Sequence, residues 1–338
     1  MSDHDHDHEV RSGAKGLADR LRRVWGHSDG HDHAHVAPLA DTGAAGVRAS
    51  KVSLAGLGAT AALQAVLVAV TGSVALLSDT LHNLTDALTA IPLWIAFALG
   101  RRSNSRKFTF GLGRAEDLAG LIIVVAIAVS AGGVAWESVR RLLDPRSLDH
   151  IPWVIAAGLI GAAGNELVAQ YRIRVGRRIS SEALIADGHH ARTDALTSLA
   201  VVAAGVGAAL GADWVDPAAG LVVAGAILVL LRHAGTRVFG RILDAVDPEL
   251  VDRTEQVAGS VDGVVSVSEV RMRWHGHRMF VTLVAAVDPD ITVRQGHEIA
   301  QTITHDLIHA FPFTVDALVH IDPSGDLAAH EVTAHHGP

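Results

Sequence analysis

Residues 52–78 carry no charged side chain, a run of 27 positions. At 1.5 Å rise per residue, a helix over that run is long enough to cross the ~30 Å hydrocarbon core of a bilayer. Whatever else the chain does, it must fold partly around lipid. The composition agrees: 49% of residues are hydrophobic and 19% charged, with a mean hydropathy of +0.30. That balance is too apolar for an ordinary soluble domain and fits a membrane protein with a soluble part.

The same reasoning, carried along the chain, predicts six transmembrane helices in a membrane all-α domain. The first covers 52–78, with a bend near Thr71-Gly-Ser73, and the second about 78–100, with Pro92 inside it as a kink site. The third covers about 118–143, the fourth about 151–172, the fifth about 181–210, and the sixth ends near Arg232. Arginines cluster after the second span (Arg101, Arg102, Arg106 with Lys107 and Arg114) and after the fourth (Arg172, Arg174, Arg177, Arg178). The positive-inside rule then puts both termini in the cytoplasm. The loop after the third span, with Arg140, Arg141 and Arg146 against Asp144 and Asp149, is a partial exception.

Four segments follow from this: a His-rich, disordered cytoplasmic tail at 1–49, the six-helix domain at 50–240, a cytoplasmic domain at 241–325 and a loose tail at 326–338. In the tail His4, His6, His8, His27, His31, His33 and His35 alternate with acidic and small residues, a composition that suits loose metal capture as well as a merely solvated segment. The cytoplasmic segment reads helix (248–260), strand (264–274), strand (279–287), helix (292–310), strand (315–321), an αββαβ order that suits a small ferredoxin-like α+β domain. No cysteine is present, which excludes disulfides and thiolate metal sites, and a net charge of −8 argues against nucleic acid as a partner. The start of the chain has no basic-then-apolar signal peptide.

Residues 75–89 and 183–197 are nearly one sentence written twice. Without gaps they share Asp79/Asp187, His82/His190, Thr85/Thr193 and Asp86/Asp194, then Ala-Leu-Thr. Each copy holds His-x-x-x-Asp, which places one imidazole and one carboxylate on the same face of a helix. The copies are three crossings apart, so they run in opposite directions, the pattern of inverted three-helix repeats with a site between the halves. Asp86 lies 15 residues before Arg101 and Asp194 lies 16 after Arg178, which puts both motifs near mid-membrane. An ionised Asp there costs at least ~2.5–3.5 kcal/mol. His82, Asp86, His190 and Asp194 together repay that cost by surrounding one divalent cation, whose two charges the two carboxylates balance.

Such ligands bind deprotonated, so a site open alternately to each side exchanges metal for protons. Two His and two Asp in a tetrahedron suit Zn2+ as the transported substrate, with no separate cofactor, while Co2+, Cd2+, Fe2+ and Mn2+ stay open by ligand type. Asp79 and Asp187, each seven residues before its motif Asp, read either as vestibule carboxylates, outer and cytoplasmic respectively, or as acids favoured in a first helical turn. The chain lacks His-Glu-x-x-His or a nucleophile with a base, and four protein ligands leave no coordination position for water, so an enzyme is not expected. A non-transporting membrane metal sensor is the other alternative.

The strings Ser73-Val-Ala-Leu-Leu-Ser-Asp79, Phe110-Gly-Leu-Gly-Arg-Ala-Glu116, Ala186-Asp-Gly-His-His-Ala-Arg-Thr-Asp194 and His320-Ile-Asp-Pro323 resemble the cation diffusion facilitator family of metal/proton antiporters over residues 50–325. The resemblance implies a homodimer in a bacterial inner or plasma membrane that exports metal from the cytoplasm, with the transport site at His82, Asp86, His190 and Asp194. His at the first motif position is similar to zinc-preferring members. Some relatives bind a further metal through His residues in the loop after the second span, where this chain reads Phe108 and Leu112, so that site is expected to be missing. Relatives also bind bridging metals in the cytoplasmic domain. His297, His320 and Asp322 match there, but Ser268 and Val284 stand at two other His positions, implying a reduced site that His275 or His277 assists.

Overall fold

A computed structural model describes residues 39–71, 80, 84, 88, 90–102, 104–143, 151–212 and 214–325. His82, Asp86 and Asp79 lie outside the described residues, as do the histidines of residues 1–38 and the tail at 326–338. Among the described residues six helices come first: α1 (Leu39–Thr71), α2 (Ala90–Gly100), α3 (Ala115–Leu143), α4 (Ile151–Arg178), α5 (Glu182–Ala209) and α6 (Val215–Ile242). Then follow α7 (Pro248–Gly259), β1 (Val264–His275), β2 (Arg278–Val287), α8 (Val293–Ala310) and β3 (Thr314–Pro323).

By length and composition four of the described helices can cross a membrane, namely α1, α3, α4 and α6; the described part of α2 is apolar but only 11 residues long. Helix α5 matches the others at 28 residues, and what sets it apart is the polar motif in its first half: His189, His190, Arg192 and Asp194. The residues that make it interesting are the ones that dilute its hydropathy.

Helix α1 begins at Leu39, inside the segment expected to be a disordered tail. The reason is packing. Ala49 and Ser50 are fully buried, and Gly46 lies so close to α2 that a Cβ there would sit 2.5 Å from Phe97 Cε1. Helix α6 likewise runs ten residues past the expected end at Arg232, because Ala234 and Val238 are buried in the same core as Ile123, Ile127 and Leu184. Within this bundle α4 pairs most extensively with α5, α3 with α6, and α1 with α4. The α4–α5 approach depends on Gly188, where a Cβ would lie 2.6 Å from Ile173 Cγ1 and 3.1 Å from the Ala169 carbonyl oxygen.

The α+β part has the expected element order. Strand β1 pairs antiparallel with β2, and β2 pairs parallel with β3 after the crossover through α8. Both helices start at good caps. Asp247 accepts from the Glu249 N–H with Pro248 in the first turn, and Thr292 and Gln295 form a reciprocal capping box. Ala258, Ile303 and Leu307 from the helices bury against Trp274, Met279, Val281, Leu283 and Ala285 of the sheet. Each large apolar side chain so covered contributes about 1.5–3 kcal/mol.

Candidate metal-transport site and its surroundings

Helix α5 starts where Ser181 Oγ accepts the Leu184 N–H at 3.1 Å, and its first four turns are almost sealed. His190 is 2% exposed and Asp194 4%, on one helix face four residues apart. Between them Thr193 donates its hydroxyl to the His190 carbonyl at 2.6 Å and lies 3.5 Å from Asp194 Oδ1. One turn on, the Thr197 hydroxyl donates to the Thr193 carbonyl at 3.0 Å. The α5 half of the anticipated ligand set is therefore held inside the bundle on a regular helix. The α2 half, His82 and Asp86, falls outside the described residues.

Asp187 differs from the expectation of a carboxylate open to the cytoplasm. It is fully buried and ion-paired with Arg172 of α4, Nε to Oδ2 at 3.1 Å, while Arg172 Nη1 donates to the Asp187 carbonyl at 3.3 Å. The 3.1 Å approach is off-line for a hydrogen bond, so both Asp187 carboxylate oxygens and Arg172 Nε and Nη2 lack hydrogen-bond partners among the described residues. Charge, more than hydrogen bonding, joins the two helices here. Arg172, read from sequence as part of a closing basic cluster, is the largest fully buried side chain described. Glu166 of α4 takes a two-pronged bond from Arg192 of α5, at 2.8 and 3.1 Å.

The β1–β2 turn meets the helix ends. Glu116 and Asp117 open α3, where acids suit the helix dipole. Glu116 Oε2 lies 2.7 Å from His277 Nδ1, and the Gly276 N–H donates to Asp117 Oδ2 at 3.2 Å. Arg241 of α6 stacks 3.5 Å from the Trp274 ring centroid and donates to the carbonyls of Ser180 and Gly276. Phe97 of α2 lies 5.9 Å from the His277 ring. His277 Nδ1 is thus tied to Glu116 at the helix ends. Burial, followed by the positive charges of Arg114, Arg273 and Arg278, holds the neighbouring His275 below its ordinary pKa of 6.5.

On the sheet, Ser268, Val284 and His320 occupy one cross-strand row. His320 Nε2 lies 2.9 Å from Asp322 Oδ1 on β3, and His297 is exposed in the second turn of α8. Among the described residues no three His, Asp or Glu side chains group closely enough to hold a metal ion. With Ser and Val in two places of that row, His320 and Asp322 stand as a pair.

An apolar helical bundle followed by a small three-stranded α+β domain defines a membrane protein with a soluble domain. Residues 50–238 match the cation efflux transmembrane domain family and residues 246–324 the cytoplasmic domain of cation efflux proteins. The chain belongs to the cation efflux family: it is a divalent metal cation efflux transporter, not an enzyme. It is 48% identical over 323 residues to the probable cation efflux system protein Rv2025c of Mycobacterium tuberculosis strain H37Rv, covering 95% of each chain. It is 26% identical over 259 residues to the manganese efflux system protein MneP of Bacillus subtilis, covering 74% of this chain and 87% of that one. A solved structure of the MamM CTD in its manganese form shares 26% identity, covers 22% of this chain and 96% of that one, and has a TM-score of 0.22.

Proposed function

We propose that the chain exports Zn2+ from the cytoplasm in exchange for protons, with His82, Asp86, His190 and Asp194 as the transport site between inverted three-helix halves. Six crossings, both termini in the cytoplasm and a homodimer in a bacterial inner membrane complete the reading. The observation that carries it is the burial of His190 and Asp194 on one face of α5, at 2% and 4% exposure, inside a repeated motif. An imidazole and a carboxylate one turn apart on a buried face can share one divalent cation, and a second, inverted copy would supply the other half of its coordination shell.

The test is metal uptake into proteoliposomes with an internal pH dye, across Zn2+, Cd2+, Co2+, Fe2+ and Mn2+. Zn2+ flux coupled to counter-moving protons, both lost in Asp194→Ala, is the expected result. Undiminished flux in Asp194→Ala sinks the site, and metal flux with no proton signal sinks the exchange. The relative named for manganese efflux gives a second reading, Mn2+ as substrate. Faster Mn2+ than Zn2+ uptake in the same assay selects it. His297, His320 and Asp322 are proposed as a reduced cytoplasmic metal site that His275 or His277 assists.

A further inference from the structure

We infer that His305 and His309, on the exposed face of α8, form a two-histidine chelate for a borderline divalent cation, separate from the transport site and from His297, His320 and Asp322. The two residues are one turn apart, and their rings stack at a centroid distance of 4.1 Å with a 33° tilt. His305 Nδ1 lies 3.0 Å from Asp306 Oδ1, and His309 Nδ1 lies 2.9 Å from the His305 carbonyl oxygen. Carbonyl and ionised carboxylate oxygens only accept, so both Nδ1 atoms carry the proton. The lone pair of each neutral ring is therefore on Nε2.

Two Nε2 lone pairs on adjacent rings tilted 33° to each other become a bidentate donor once the exposed rings turn to face one ion, with the tautomer already chosen. A His that ligates metal through one nitrogen while its other N–H is tied to a carboxylate or carbonyl is the usual supporting arrangement for such ligands. Side chains at i and i+4 reach one ion with metal–nitrogen distances of about 2.0–2.1 Å. Ile303 and Leu307 anchor the opposite face of α8 in the core, so the helix that presents the pair is fixed. Imidazole selects Zn2+, Cu2+, Ni2+ and Co2+ over Mg2+ and Ca2+, and water fills the remaining positions.

The chain has 21 histidines, so a bulk binding isotherm does not resolve this pair. Carbethoxylation of Nε2, read residue by residue by mass spectrometry on the full-length protein in detergent, does. Zn2+ is titrated before the reagent. His305 and His309 should be protected together, and Mg2+ should protect neither. In His309→Ala, half-protection of His305 should need about tenfold more Zn2+ or worse, because the second donor no longer binds intramolecularly. Asp306→Asn should shift it in the same direction by a smaller factor. Both substitutions lie on the exposed face, and helicity by circular dichroism should not change. Equal modification with and without Zn2+ overturns the inference. So does His305 protection that His309→Ala leaves unmoved, since that is one imidazole binding alone.

Discussion

Replacing Asp187 with Asn tests how the bundle tolerates charge. Both partners of the Arg172–Asp187 pair are sealed, with side-chain exposures of 1% and 0%, so water cannot take over when one is removed. Arg172 cannot shed its charge, and its Nε and Nη2 already lack hydrogen bonds among the described residues. Breaking a buried pair from one side costs about 3–5 kcal/mol, whereas replacing both partners by apolar residues of similar volume is about neutral or stabilising. For a unit of this size each kcal/mol moves the midpoint about 2–4 °C, so Asp187→Asn should melt roughly 6–20 °C below the parent. Arg172→Met with Asp187→Leu should recover most of that loss. Thermal unfolding in detergent, followed by tryptophan fluorescence and far-UV circular dichroism together, reads both. A single variant melting within about 2 °C of the parent refutes the reasoning. So does a double variant as unstable as the single.

Three further outcomes follow from the packing. Gly188→Ala should destabilise the bundle by about 1–3 kcal/mol, since the added methyl must push α5 off the Ala169 carbonyl, and chemical denaturation of the membrane domain reads it. Glu116→Gln should weaken the grip on His277 by about 1–3 kcal/mol and expose the segment between α6 and α7 to limited proteolysis; an unchanged cleavage rate counts against the contact as a clamp. His275 has a depressed pKa in the folded chain, so the unfolded chain binds the extra proton first as pH falls. Its contribution is therefore fully present above pH 6.5 and is lost as pH drops from there towards the folded value. His275→Gln should flatten the difference in melting temperature between pH 8 and pH 5.5.

Much of this architecture is legible before any coordinates. The charge-free run at 52–78 announces α1, and the alternation in 264–274 and 279–287 gives the hairpin to within a residue. His190 and Asp194 declare themselves by repetition, a pattern that local propensity does not produce. What escapes has a common cause: burial is not written in residue type. Residues 39–50 are Ala- and Gly-rich with no clear periodicity, and they are helical because Phe97 covers Gly46. Arg172 looks like another cytoplasmic-loop arginine until α5 closes over it. Glu116 asks for a positive partner, but His277 is 161 residues away, and nothing local in the sequence points to it.

The length of α1 sets a distance. Its 33 residues extend about 50 Å, against a hydrocarbon slab of about 30 Å. Some 20 Å is left over, and the stretch around Gly46 stands beside Phe97, level with the β1–β2 turn. The helix is thus a mast as well as a membrane strut. Its first turns outreach the hydrocarbon slab and come level with the β1–β2 turn, so one helix braces both the bundle and the contact with the sheet.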